Sequence, residues 1–121
     1  QTFFRNVILS SYDNRCALTG IAVPQLLIAS HIIPWSENEN RRADPTNGLC
    51  LNALHDKAFD RHLITFDENC RLVVSSFLKK GSIPEFQAAN FAKLEGAALA
   101  FPHRFAPDPL ALEEHRNAFV A

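Results

Sequence analysis

Residues 27–62 read LIASHIIPWSENENRRADPTNGLCLNALHDKAFDRH, and the order of apolar and polar segments in this stretch decides the fold. The apolar run that ends at His31 predicts a strand, and GLCL predicts a second, brief strand. The polar residues 36–46 between them predict a long exposed loop, of the kind that often carries function. Asn52 is placed to cap a helix over residues 54–61. The stretch therefore predicts a strand, a long loop, a strand and a short helix.

The segments on either side predict further elements. Residues 2–12 predict a helix, and the apolar segments CALTG and PQLLIAS within residues 16–29 predict two short strands. LITF and RLVVS predict a β-hairpin with Ile64, Phe66, Leu72 and Val74 at its buried positions. Residues 84–100 predict another helix. Asp108 followed by Pro109 predicts the start of a last helix, which runs to Phe119.

The composition is that of one ordinary globular domain. The 121 residues are 47% hydrophobic and 21% charged, which supplies one core and argues against disorder. No apolar run approaches the roughly 20 residues that a membrane helix needs, so no membrane partner is expected. The net charge of −1 gives no overall signal for nucleic acid. Any contact with DNA must therefore come from local basic clusters and a bound cation.

The cysteine count and the start of the chain give two expectations about context. Three Cys residues, an odd number in a chain without a signal peptide, indicate reduced thiols and a cytoplasmic protein. The chain begins at Gln1 and contains no Met. We therefore expect a piece of a longer protein, whose other domains would be its partners.

Three polar side chains stand in apolar or turn-forming surroundings, and each has a structural and a chemical interpretation. His31 closes an apolar strand, where an imidazole that is neutral near pH 7 can act as a general base. It can equally be a half-buried strand histidine with one hydrogen bond. Asn47 belongs to a common Asn-Gly turn pair, and His55 on a short helix can be a surface histidine. Taken one by one, these residues leave both interpretations open.

Taken together, their order and spacing resemble HNH nucleases. ASHIIPW, NGLCLNALHDKAFD and LITF are similar to an HNH subfamily found in bacterial restriction endonucleases, over about residues 3–77. FAPDPLALEEHRNAF is similar to the tail that follows in such proteins. The resemblance implies an α+β fold with a ββα-metal (HNH, or His-Me finger) core over about residues 14–62. An added β-hairpin and flanking helices complete a single HNH nuclease domain over residues 1–121.

The resemblance also implies an activity: metal-dependent hydrolysis of DNA phosphodiester bonds in bacterial restriction or defence. His31 matches the general base, Asn47 the residue that organises the loop, and His55 a ligand of one divalent cation. Mg²⁺, Mn²⁺, Ni²⁺ and Zn²⁺ are not distinguished. Many HNH nucleases have an additional Asp or His ligand directly before the base, where this chain has Ser30. Asp60 is then the candidate second ligand, with Asp56 behind it.

Alternatives remain at both the residue and the protein level. Asp60 can instead cap the hairpin or pair with Arg61. The whole chain can be a catalytically inactive nucleic-acid-binding module that keeps the HNH fold, which Ser30 favours. It can also be a structural or partner-docking domain that binds no divalent metal.

Two further predictions concern zinc and DNA contacts. Some HNH domains hold a structural zinc with two CxxC pairs, but here Cys16-x-x-Thr19 and Cys50-x-x-Ala53 each lack one thiol, so no structural zinc is expected. Trp35 can stack on a base or pack in the core. The side chains predicted to approach DNA phosphates, with a merely solvated surface as the alternative, are Arg41, Arg42, Lys57 and Arg61.

Overall fold

Two antiparallel strands separated by a long loop lie at the centre of the fold. The structure is a computed structural model that describes residues 2–34, 36–37 and 39–121. Strand β1 is Leu27–His31 and strand β2 is Gly48–Asn52. Leu27 pairs with Asn52 and His31 pairs with Gly48. All five residues of β2 are buried, so this strand forms the floor of the core.

Helix α2 (Ala53–Asp60) follows β2 without a loop. The side chain of Asn52 accepts hydrogen bonds from the backbone N–H groups of Leu54 (3.0 Å) and His55 (3.2 Å), which confirms the predicted cap. The strand–loop–strand–helix order predicted from residues 27–62 is therefore confirmed.

Helix α1 (Thr2–Ser11) packs directly over the strand pair. A Cβ atom at Gly48 would lie 2.5 Å from Cδ1 of Ile8 and 2.7 Å from Cζ of Phe4. Gly48 is therefore required for space and not for an unusual backbone angle. The close approach puts Phe4 beneath the end of β1, where His31 stands.

The predicted strand at CALTG is wrong. Residues 16–19 form a tight turn, in which the Gly20 N–H donates to the Cys16 carbonyl (2.9 Å) and the Cys16 N–H donates to the Ile21 carbonyl (2.8 Å). Gly20 has a φ of +81°, which reverses the chain after only a few residues. The segment has no room for a strand.

The C-terminal half adds a hairpin and two helices. The hairpin is β3 (Ile64–Phe66) with β4 (Leu72–Val74), and its predicted core residues are buried. Helix α3 covers only Glu85–Asn90, because the chain breaks helical geometry at Phe91 and then makes a short 3₁₀ turn. Helix α4 (Pro109–Asn117) begins at the Asp108 cap, as predicted. Within the described residues, no helix has the length and apolar character to cross a membrane.

Candidate active site

His31 is held in one orientation by a backbone atom and an aromatic ring. Its Nε2–H donates to the carbonyl oxygen of Arg42 at 2.8 Å. Its ring lies flat on the ring of Phe4, with centroids 4.1 Å apart and planes 7° apart. With the proton on Nε2, Nδ1 carries the lone pair. The half-buried imidazole is thus oriented with Nδ1 as its proton-accepting atom.

Asn47 fastens the long loop that supplies the Arg42 carbonyl. Its fully buried amide accepts a hydrogen bond from the Ile33 N–H (2.8 Å) and donates to the Ile33 carbonyl (3.0 Å). The same amide nitrogen donates to the Arg41 carbonyl at 3.4 Å. One side chain therefore joins the start of the loop at Ile33 to its middle at Arg41, next to the Arg42 carbonyl.

Ser30 and Asp56 form a polar pair beside the base. The buried hydroxyl of Ser30 donates to Oδ1 of Asp56 at 2.5 Å, which links β1 to α2. Partial burial raises the pKa of Asp56, and the charge of Asp60, one turn further along the helix, raises it too. The Ser30 hydrogen bond and the neighbouring Lys57 act in the opposite direction. The Asp56 carboxylate thus lies against the end of β1, at the residue that precedes His31.

The carboxylates of Asp56 and Asp60 fit a hard divalent cation that is also coordinated by water or phosphate oxygens. Within the described ranges, no group of three or more His, Cys, Asp or Glu side chains could hold a metal ion alone. Mg²⁺ is commonly bound through one or two carboxylates, with water and substrate phosphate filling its remaining positions. Asp56 and Asp60 are such carboxylates, and the Ser30 hydroxyl orients the first of them. Asp60 takes part in none of the ion pairs found among the described residues.

His55, the predicted metal ligand, lies inside the protein, between α2 and α3. Its ring is 1% exposed, and both ring nitrogens are engaged. The Asn52 amide N–H donates to Nδ1 at 2.9 Å, and Nε2–H donates to the Asn90 carbonyl at 2.7 Å. Burial lowers the pKa of His55, which keeps the ring neutral. His55 therefore joins α2 to the end of α3, and Asp56 is the residue of α2 that faces the base.

The residues that face Cys16 and Thr19 are not those of the Cys50-x-x-Ala53 segment. Asn52-x-x-His55, and not Cys50-x-x-Ala53, faces Cys16-x-x-Thr19. The Asn52 amide nitrogen lies 3.4 Å from Sγ of Cys16, 3.4 Å from Oγ1 of Thr19 and 2.9 Å from Nδ1 of His55. The Asn52 amide thus contacts three other side chains at the base of the ββα unit. Cys50 is buried in β2.

The four predicted phosphate contacts fall into two groups. Arg41 is engaged within the protein, since its Nη2 lies 2.9 Å from Asp108 and 3.7 Å from Asp44. Arg42 is half-buried, and its carbonyl orients His31. Lys57 and Arg61 are exposed on α2 and at its end, and neither forms an ion pair with a described residue. Only this second group is presented to a ligand, while Trp35 lies outside the described residues.

One buried side chain had no signal in the sequence. His115 of α4 stacks on Phe59 with centroids 3.8 Å apart, and its Nε2–H donates to the Phe59 carbonyl at 2.8 Å. Its Nδ1 accepts the hydroxyl of Thr65 at 2.8 Å. Burial lowers the pKa of His115 to about 4. The ring fastens α4 to α2 and β3 and takes no part in the site.

Comparison with known proteins gives a family and a fold. Residues 16–67 match the family model of the HNH endonucleases. A solved structure described as a modification dependent TagI restriction endonuclease is similar in fold, with a TM-score of 0.66 and 16% sequence identity. The match covers 93% of this chain but 36% of that chain. No curated protein sequence matches. The matched residues contain the whole β1–loop–β2–α2 unit described above, so over these residues the chain is similar to the HNH endonucleases, and its fold is the α+β, ββα-metal fold.

Proposed function

We propose that this chain is the nuclease domain of a cytoplasmic bacterial restriction or defence protein and hydrolyses DNA phosphodiester bonds with one divalent cation. The observation that carries the proposal is the placement of His31, oriented by the Arg42 carbonyl, beside the Ser30–Asp56 pair. A proton acceptor next to a carboxylate that can bind a cation is the arrangement that phosphodiester hydrolysis needs. The restriction setting rests on likeness to a protein of which this chain spans about a third.

In the proposed reaction, Nδ1 of His31 takes a proton from a water molecule as its oxygen attacks the phosphorus. The new P–O bond forms as the bond to the 3′ oxygen breaks, and the departing oxygen takes a proton from solvent. The products are a 5′-phosphate and a 3′-hydroxyl. A bound cation supplies charge that neutralises the phosphate and the leaving oxygen.

Each of the other residues has a defined part. Asp56, with Asp60 one turn away, would hold the cation. Ser30 holds the Asp56 carboxylate through its hydroxyl. Asn47 keeps the loop in the shape that presents the Arg42 carbonyl to His31. These last two act through other groups and are positioning residues.

A catalytically inactive DNA-binding module is the second candidate. Ser30 favours it, since a neutral hydroxyl is a poor ligand where relatives carry a charged or imidazole ligand. The two candidates differ in one outcome, which is metal-dependent cleavage by the purified chain.

The test is nicking of a supercoiled plasmid by the purified protein with Mg²⁺, Mn²⁺ or Ni²⁺ against EDTA. We expect cutting that needs the metal, that is abolished by His31→Ala and that falls at least about a hundredfold in Asp56→Asn, with DNA binding retained. The matched control is His103→Ala, since His103 is an exposed histidine paired only with Asp13. Cutting that survives His31→Ala would refute the assigned base. DNA binding without cutting under any metal would support the inactive module.

A further inference from the structure

A groove of about 330 Å³ opens between α2 and α3, on the flank of the helix that carries Asp56. Its floor is apolar and includes Ala58, Leu63 and Phe91. Phe86 stands in its wall with 69% of its surface exposed, although it is a large aromatic side chain. The function described so far makes no use of this surface.

The rim of the groove is positively charged. Lys57 and Arg61 lie one helical turn apart and line the same groove. Both are exposed, and neither has an ion-pair partner among the residues that the structure describes. Lys57 directly follows Asp56 in the chain, so the charged rim lies on the same helix as the candidate active site.

The walls of the groove are fixed to the core. The His55 Nε2–H bond to the Asn90 carbonyl and the ring contact of His55 with Phe91, at 5.2 Å between centroids, hold the end of α3. The Gln87 side chain donates to the Leu78 carbonyl at 3.2 Å. The exposed ring of Phe86 is therefore carried on the short helix α3. The contacts of His55 and the Gln87 hydrogen bond hold this helix against the core.

We infer that this groove binds one unstacked nucleotide of the DNA strand beside the cut, with its base on Phe86 and its flanking phosphates on Lys57 and Arg61. An exposed aromatic ring next to two unpaired cations is the combination that binds a base and its backbone together. The apolar floor suits the face of a base, and the cations on the rim complement phosphate charge. The inference rests on the proposed function only in taking DNA as the ligand.

The test measures binding of a labelled single-stranded oligonucleotide and of its duplex by fluorescence anisotropy, in EDTA so that nothing is cut. We expect Phe86→Ala to weaken single-strand binding between about 5-fold and 150-fold, since stacking on an aromatic contributes about 1–3 kcal/mol per base. Duplex binding should change less. The matched control is Phe101→Ala, because Phe101 is 71% exposed and lines other pockets.

Salt dependence separates the two kinds of contact. Lys57→Ala and Arg61→Ala should each weaken binding and reduce the slope of log affinity against log salt by about 0.7 for a single strand. Phe86→Ala should leave that slope unchanged. Thermal unfolding of each variant shows whether it is folded.

Three outcomes would overturn the inference. They are an absence of single-strand binding by the unmodified protein, equal losses in Phe86→Ala and Phe101→Ala, and a change of oligomeric state in Phe86→Ala without a change in DNA binding. The last would identify a second copy as the occupant. Failure of the nuclease is a separate result, because it appears as intact binding in EDTA with no cutting when metal is added.

Discussion

His31 and His55 have different surroundings in the structure. The hydrogen bond of His31 goes to a loop carbonyl, whereas those of His55 go to the Asn52 side chain and the Asn90 carbonyl. One nitrogen of His31 donates to a loop carbonyl, and its ring rests on Phe4 at the edge of the fold. Both nitrogens of His55 are hydrogen-bonded inside the protein, at 2.9 and 2.7 Å. At the residue scale, the first arrangement orients a proton acceptor and the second joins two elements. The adjacent Asp56 contacts β1 by accepting the hydrogen bond of the Ser30 hydroxyl.

His55→Ala is expected to reduce stability and to leave cation binding intact in the folded protein. The change removes a buried ring and leaves the Asn90 carbonyl without its donor, so we expect a loss of about 2–4 kcal/mol in the free energy of unfolding. Urea unfolding measures the loss, and Mn²⁺ titration followed by electron paramagnetic resonance measures the binding. Asp56→Asn is the matched comparison and should weaken Mn²⁺ binding without a similar loss of stability. Equal Mn²⁺ affinity in Asp56→Asn and the unmodified protein would contradict the assignment.

At the scale of elements, the sequence predicts those helices, strands and caps that are determined by residues close together along the chain. The strand–loop–strand–helix order, the Asn52 cap and the hairpin follow from apolar patterns and capping residues that lie close together. The strand predicted at CALTG was wrong because a short apolar run does not reveal the turn closed by Gly20.

Which residue of α2 faces His31 could not be predicted in the same way. Adjacent residues on a helix point about 100° apart, so His55 and Asp56 face different parts of the protein. Which of them faces the base depends on Ser30 and Asn90, which are 26 and 35 residues distant in sequence. The local pattern of apolar and polar residues does not predict such long-range contacts.

The junction of α2 with the turn at residues 16–19 gives a prediction about metal binding. The Asn52 amide nitrogen lies within 3.4 Å of side-chain atoms of Cys16, Thr19 and His55. The double variant Thr19→Cys, Asn52→Cys would present three thiolates and an imidazole, a set that binds Zn²⁺ tetrahedrally. We expect it to bind one equivalent of Co²⁺ with tetrahedral absorption bands, and Zn²⁺ to raise its melting temperature. The single variant Thr19→Cys is the control, and the absence of these bands in the double variant would contradict the geometry.

At the scale of the whole molecule, α4 closes the fold over the loop and the hairpin. Arg41 of the loop pairs with Asp108, and the Asp108 N–H donates to the Thr46 carbonyl at 2.9 Å. At its other end, α4 is fastened by the stacked ring of His115. The loop that orients His31 is therefore also attached to the C-terminal helix.

The burial of His115 predicts how stability depends on pH. Burial lowers its pKa to about 4, whereas the unfolded chain binds a proton near pH 6.5. Below about pH 6.5 the unfolded state binds more protons, so stability is lost as the pH falls toward 4, by about 3 kcal/mol from this residue. Urea unfolding at neutral pH and near pH 5 should show a smaller loss in His115→Gln than in the unmodified protein. His103→Gln, at an exposed histidine, should not change the loss, and an equal loss in all three proteins would contradict the prediction.

The partner that orients His31 is a main-chain oxygen, and this has a consequence for how the site can vary. Every amino acid at position 42 supplies that oxygen, so natural selection can change the side chain there while the base keeps its orientation. Alanine scanning would pass over the contact for the same reason. Replacing the carbonyl itself, for example by a thioamide introduced through chemical synthesis, is the substitution that reaches it.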